Sequence, residues 1–208
     1  MCKFFSAIIT KENIYFDYDL DSHEDIIKKF NLVEGEIHHG FNFVRVELTP
    51  NDENLFNHNM DNWSLHVDQD YTPDWFNHDQ IEDEVKIKLK EVIENRFVLG
   101  EMKEINQGRW FIGGSASVNY IRGSAKVDSI GGSASVNYIR DSAKVDYIGD
   151  SASVNYIRGS ANILGYYNFD ISNIKNIQDN ALVINKNKDA IKIITSKGII
   201  ENIYDLIK

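Results

Sequence analysis

A phrase of 18 residues repeats almost without change in the second half of the sequence. Shifting the chain by 18 positions aligns residues 115–132 with residues 133–150 at 15 of 18 positions. A shift of nine positions aligns SASVNYIRG with SAKVDSIGG at only 5 of 9. The stronger match at 18 predicts a structural unit made of two similar nonapeptides, because a loop of nine residues is too tight to enclose side chains.

Apolar residues occupy the second, fourth and seventh positions of each nonapeptide, as in Ala116, Val118 and Ile121. The two-residue step from Ala to Val has the period of a β-strand, and the three-residue step to Ile indicates a corner. The ninth position holds Gly, Asp or Asn, which tolerate a left-handed backbone. We therefore predict a parallel β-solenoid with about 18 residues per coil and coils about 4.8 Å apart. Three regular coils are expected over residues 115–168.

Charge divides the chain near Gly108. Residues 1–108 hold 10 Lys and Arg against 23 Asp and Glu, whereas residues 109–208 hold 12 against 9. We predict an acidic α+β domain over residues 1–108 and the β-solenoid over residues 109–197. Isoleucines then adopt helical spacing, which predicts a short C-terminal capping helix over residues 198–208.

The N-terminal domain has signals for both strands and helices. FFSAIIT and IYFDYD flank Lys11-Glu12-Asn13 and predict a β-hairpin, while FNFVRVEL and WSLHVD predict further strands. Ser22 and Asn77 are placed to cap two helices, the second with Val85 and Leu89 on its apolar face. We expect a small antiparallel sheet with two helices.

Five stretches together carry a resemblance: MCKFFSAIIT, DSHED, FVRVELTP, WSLHVDQDYTPDW and the SA-x-V coils. They resemble a family of uncharacterised proteins from bacteriophages and prophages, and the string from Val67 to Trp75 is the most specific of them. The resemblance implies a phage or prophage origin. It implies no activity.

The N-terminal domain also places histidines near carboxylates, a composition found in hydrolytic metal sites. The residues concerned are His23, Glu24, His66, Asp68 and Asp70. Their spacing matches no established zinc motif, and an acidic domain brings such residues together by chance. Our prediction is therefore solvated surface and turn capping, with no metal and no cofactor. The alternative is a hydrolase-like or nuclease-like enzyme that uses the solenoid as a scaffold.

Known uses of β-solenoids leave characteristic residues, and the repeats lack three of them. No histidine follows His78, the calcium-binding nonapeptide Gly-Gly-x-Gly-x-Asp does not occur, and the three regular coils contain no threonine. The repeats do predict an outward row of Tyr120, Tyr138 and Tyr156 beside Arg122, Arg140 and Arg158. Arginines beside phenol rings suit an anionic or planar partner. The alternative is a ladder that only stacks, and Asn119, Asn137 and Asn155 predict a second, structural ladder.

These observations favour a phage or prophage accessory protein that binds a host macromolecule without catalysis and inhibits a host antiphage defence. The partner is expected to be a host protein or a nucleic-acid-binding protein. A third hypothesis is a structural protein that forms homo-oligomers through the solenoid. One cysteine and no long apolar run predict a cytoplasmic protein of the infected host that does not enter membranes.

Overall fold

The computed structural model describes residues 5–33, 35, 42–166, 171–186 and 191–201. The chain divides into two compact units, Met1–Asn95 and Arg96–Lys208. This division precedes the predicted boundary at 108/109, because two strands before Gly108 already pair with the solenoid. Among the described residues, no helix is both long and apolar enough to cross a membrane.

The N-terminal unit is an antiparallel sheet with two helices, as the sequence predicts. The sheet has the strand order β2-β1-β3-β4. A 3₁₀ turn at Met60–Asn62 precedes the last of these strands. The elements are β1 (Phe5–Thr10), β2 (Ile14–Tyr15), α1 (His23–Phe30), β3 (Phe43–Pro50), β4 (Trp63–Val67) and α2 (His78–Arg96).

Both helices begin at the predicted capping residues. The Ser22 hydroxyl accepts a hydrogen bond from the backbone N–H of Asp25 at 3.3 Å, and Asn77 Oδ1 accepts one from the N–H of Gln80 at 3.2 Å. Each cap satisfies a backbone donor that the first helical turn leaves without a partner. The capping residues in the sequence therefore predict correctly where α1 and α2 begin.

The sheet of the N-terminal unit separates two sets of side chains. Val44, Val46 and Leu48 alternate along β3 and are all buried on one face. On the other face, Ile26 of α1 packs with Ile8 and Phe43. The start of α1 is thereby held against β3.

The second unit is the solenoid. Its strands are β5 (Phe97–Val98), β6 (Glu101–Ile105), β7 (Arg109–Ile112), β8 (Ser117–Ile121), β9 (Lys126–Ile130), β10 (Ser135–Ile139), β11 (Lys144–Val145), β12 (Ser153–Ile157), β13 (Asn162–Tyr166), β14 (Ile174–Ile177), β15 (Leu182–Lys186), β16 (Ile191–Thr195) and β17 (Gly198–Glu201). The even-numbered strands β6 to β14 form one parallel sheet, here called the tyrosine sheet. The odd-numbered strands β5 to β15, followed by β16 and β17, form the opposite sheet, here called the lysine sheet.

Each coil contributes one strand to each sheet, which confirms the predicted repeat of 18 residues. Val136 in the tyrosine sheet aligns with Val118 one coil before it and with Val154 one coil after it. Val127 lies in the lysine sheet and aligns with Val145. These valines and the isoleucines that follow them form a continuous core. Residues 167 and 168 of the third predicted coil lie outside the described residues.

The parallel stacking ends at β15, where the chain turns back on itself. β16 pairs antiparallel with β15 and with β17, which is a strand at residues predicted to be helical. The predicted capping helix is therefore wrong over Gly198–Glu201, where the β-branched Ile199 and Ile200 suit a strand. Residues 202–208 of that helix lie outside the described residues.

Candidate functional site

The three predicted tyrosines form a continuous stack on the tyrosine sheet. The ring centroids of Tyr120 and Tyr138 are 5.3 Å apart, and those of Tyr138 and Tyr156 are 5.0 Å apart. The rings are nearly parallel, with interplanar angles of 15° and 14°. The stack follows from the repeat, because parallel strands in register place identical residues directly above one another.

Two of the predicted arginines lie over rings of the preceding coil. The guanidinium carbon of Arg140 is 5.0 Å from the centroid of Tyr120, and that of Arg158 is 5.0 Å from the centroid of Tyr138. Both distances are within the range of a cation–π interaction. We call the six residues the tyrosine–arginine stripe; they are Tyr120, Arg122, Tyr138, Arg140, Tyr156 and Arg158.

The first arginine of the stripe differs from the other two because a carboxylate neutralises it. Arg122 Nη2 donates to Glu104 Oε1 at 2.7 Å. This hydrogen bond, supported by the charge of Arg122, lowers the pKa of Glu104 below its usual value. In the described part of the solenoid, no ion pair involves Arg140 or Arg158. Arg140 and Arg158 therefore lie on this stripe without an ion-pair partner among the described residues.

The predicted asparagine ladder runs beside the tyrosines. Asn137 Nδ2 donates to Asn119 Oδ1 at 3.0 Å, and Asn155 Nδ2 donates to Asn137 Oδ1 at 3.3 Å. The ladder continues from Asn176 Nδ2 to the backbone carbonyl of Asn155 at 3.4 Å. Because the amides bond to one another along the coils, they fix the backbone that carries the stripe.

The lysine sheet has a different charge arrangement. Lys126 Nζ lies 3.2 Å from Asp128 Oδ1 and 3.4 Å from Asp146 Oδ2, so one lysine bridges two coils. Asp128 also pairs with the buried Arg109 at 2.5 Å. Arg109 and Lys126 on this sheet therefore have carboxylate partners, which makes the sheet a natural reference surface for experiments on the stripe.

The acid–histidine residues of the N-terminal unit are only partly brought together. His23 Nδ1 lies 3.2 Å from Asp68 Oδ2. Glu24 instead lies in the first turn of α1, where backbone hydrogen bonding is the main cause that lowers its pKa. His66 is exposed on β4, and Asp70 is exposed two residues beyond Asp68. The structure thus joins two of the five predicted residues.

Sequence reasoning missed the third member of this cluster, Glu47. Its carboxylate, an Asp68 carboxylate oxygen and a ring nitrogen of His23 all lie within 4.8 Å of one another. Glu47 lies on β3 opposite His66 of β4. The sequence does contain a signal for Glu47. If FVRVEL pairs antiparallel with WSLHVD, Glu47 lies beside the strand that leads to Asp68.

No family model, curated protein or solved structure matches this chain significantly. The chemistry of the site consequently rests on its own geometry.

Proposed function

We propose that this is a phage or prophage accessory protein that acts without catalysis and inhibits a host antiphage defence. In this proposal the tyrosine–arginine stripe binds an acidic surface of a host protein. The observation that carries the proposal is the position of Arg140 and Arg158, which lie over tyrosine rings and form no ion pair in the described part of the solenoid. Guanidinium groups without carboxylate partners favour binding of carboxylates in bidentate geometry.

The arrangement of the rings favours an acidic surface over nucleobases. Tyr138 is stacked between Tyr120 and Tyr156, so a base has no free face of Tyr138 on which to stack. The accessible groups are the guanidinium groups and the edges of the rings.

Two further observations support a rigid binding surface rather than a ladder that only stacks. The asparagine ladder fixes the backbone beside the stripe, so binding requires little ordering of the protein. The guanidinium groups of Arg140 and Arg158 are each positioned over a tyrosine ring, so they also need little ordering before a carboxylate binds.

The experiment is affinity capture from a bacterial host lysate with three forms of the full chain. These are the wild type, Arg140→Gln/Arg158→Gln, and the control Lys126→Gln/Lys144→Gln. The control removes two cations that are also aligned in successive coils, but from the lysine sheet. A captured protein is then purified and titrated against each form.

The proposal predicts that the wild type and the control capture the same host protein and that the arginine variant does not. Binding is expected to weaken as salt rises from about 50 to 300 mM, because exposed ion pairs are screened. Equal binding by the arginine variant would contradict a role for the stripe. Catalytic use of His23 and Asp68, and assembly of copies through the solenoid, remain the alternative predictions.

A further inference from the structure

Three ligand groups, one imidazole and two carboxylates, converge in the N-terminal unit. His23 is the first residue of α1, Glu47 lies in β3, and Asp68 follows β4. One ligand atom from each lies within 4.8 Å of the other two. The cluster is independent of the tyrosine–arginine stripe and of the function proposed for it.

The imidazole of His23 is oriented by the strand beneath it. The residue is 1% exposed, and its Nε2 lies 3.0 Å from the carbonyl oxygen of Val46. A carbonyl only accepts hydrogen bonds, so Nε2 carries the hydrogen and Nδ1 is directed to the Asp68 carboxylate at 3.2 Å. Histidines that bind metals are held in this way, with one ring nitrogen donating to a backbone carbonyl and the other facing the ion.

A lone pair on Nδ1 and a carboxylate oxygen repel each other at this distance unless a positive charge is shared between them. That charge is either a proton or a metal ion. Two donors on one tetrahedral ion, with bonds of about 2.0 to 2.2 Å, are separated by about 3.3 to 3.5 Å. The observed 3.2 Å between His23 Nδ1 and Asp68 Oδ2 is close to this value.

Glu47 favours the metal ion over the proton. A proton on His23 offsets the charge of one carboxylate, whereas a divalent ion offsets the charges of both Glu47 and Asp68. The Asp68 side chain is 60% exposed, so an ion can enter from solvent and keep a water molecule as a further ligand.

We propose that His23 Nδ1, Glu47 and Asp68 bind one divalent first-row transition-metal ion, with Zn²⁺ as the best-suited ion. One imidazole and two carboxylates form a mixed donor set that Zn²⁺ accepts readily. The ion links the start of α1, the middle of β3 and the end of β4. Binding therefore stabilises the N-terminal unit, since the ligands are held together only in the folded chain.

The test is calorimetric titration of the EDTA-treated, dialysed full chain with ZnCl₂. Glu47→Gln and Asp68→Asn are the main variants, because a change at the buried His23 endangers folding. The control is His78→Ala: His78 Nδ1 lies 3.6 Å from Asp79 and 3.8 Å from Glu82, but its side chain is exposed. The wild type and the control are expected to bind one equivalent of Zn²⁺ with equal affinity, and each carboxylate variant at least about tenfold more weakly.

Nitrogen NMR of the ring identifies the ligand atom. Zn²⁺ is expected to shift the Nδ1 resonance of His23 while Nε2 keeps its hydrogen. The proposal is overturned if the wild type binds no Zn²⁺, if both carboxylate variants bind as tightly as the wild type, or if the resonance of another histidine shifts instead. His23 and Asp68 would then form an ion pair alone. The Arg140→Gln/Arg158→Gln variant is expected to bind Zn²⁺ as the wild type does, even when it no longer binds the host protein. The two proposals are therefore tested independently.

Discussion

Asp150 accepts a hydrogen bond from the backbone N–H of Gly132, one coil earlier, with 2.8 Å between Oδ2 and N. The same contact joins Asp141 to Gly123 at 3.2 Å. These aspartates have a left-handed backbone, with φ of 53° at Asp150 and 61° at Asp141. The ninth position of the nonapeptide therefore both turns the chain and links neighbouring coils.

Asp150→Ala is expected to destabilise the solenoid by about 1–2 kcal/mol, because alanine loses the hydrogen bond and tolerates the left-handed backbone poorly. Asp150→Asn is the matched control, since asparagine can accept the same bond and adopts this backbone more readily. Guanidinium unfolding followed by near-ultraviolet circular dichroism of the stacked tyrosines measures the difference. Equal unfolding midpoints for the two variants would show that the bond contributes nothing.

Gly132 itself is expected to tolerate no side chain. Its φ is +65°, and a Cβ atom would lie 2.6 Å from the carbonyl oxygen of Gly114, which is backbone and cannot move aside. Gly132→Ala should destabilise by more than about 2 kcal/mol. Gly100→Ala is the control, because a Cβ there meets nothing within 4 Å, and it should change stability by less than about 0.5 kcal/mol. The same unfolding measurement compares them.

The solenoid could be predicted because the repeat places identical residues in register. Fifteen matches in 18 positions fix the coil length, and with it the tyrosine and asparagine ladders. The repeat does not predict β5 and β6, because these strands join the two solenoid sheets without the SA-x-V pattern. The predicted domain boundary therefore lies further along the chain than the observed one. The spacing of Ile199 and Ile200 fits both a helix and a strand, and the pairing of β17 with β16 shows that these two residues form a strand.

The acid–histidine cluster was harder to predict, because its members are distant in sequence. His23 and Asp68 are brought together by β3, which lies between them in the sequence. The hydrogen bond from His23 to the carbonyl of Val46 depends on the position of α1 over β3. The ion pair of Arg122 was missed for a related reason. Glu104 lies on β6, which carries no repeat signal, yet it aligns with Tyr120 in the next coil.

Val136→Asp is expected to be among the most damaging single changes in the solenoid. Val136 is 1% exposed and lies between Val118 and Val154, so a carboxylate there has no partner and no water. We expect a loss of more than about 4 kcal/mol. Ser135→Asp is the control, because the neighbouring residue points outward and is exposed. A soluble Val136→Asp protein with a wild-type unfolding midpoint would contradict the buried valine column.

The pair formed by Glu104 and Arg122 is expected to depend on pH. The folded state lowers the pKa of Glu104, so the pair stabilises the fold fully above the ordinary glutamate value of about 4.3. This stabilisation is lost as pH falls through the lowered pKa. Carboxyl-carbon NMR should give Glu104 a pKa below those of exposed glutamates, and Arg122→Gln should raise it. Arg140→Gln should raise it less, because Arg140 acts on Glu104 only through its charge.

The last prediction concerns Tyr138, the central ring of the stripe. Tyr138→Phe keeps both ring stacks and the surface under Arg158, so binding to the captured host protein should change less than about twofold. Tyr138→Ala removes two stacks and one cation–π contact, which together contribute about 2 kcal/mol. Arg158 then loses its fixed position, and binding should weaken at least about tenfold.

The matched control for Tyr138→Ala is Tyr147→Ala. Tyr147 is the tyrosine of the second nonapeptide, and its ring lies over Gly149, where a Cβ atom would meet the phenol oxygen at 2.1 Å. It has no place in the tyrosine stack, so its removal should leave binding unchanged. If Tyr138→Ala binds as tightly as Tyr138→Phe, the rings do not position the arginines, and the stack serves only to hold the coils together.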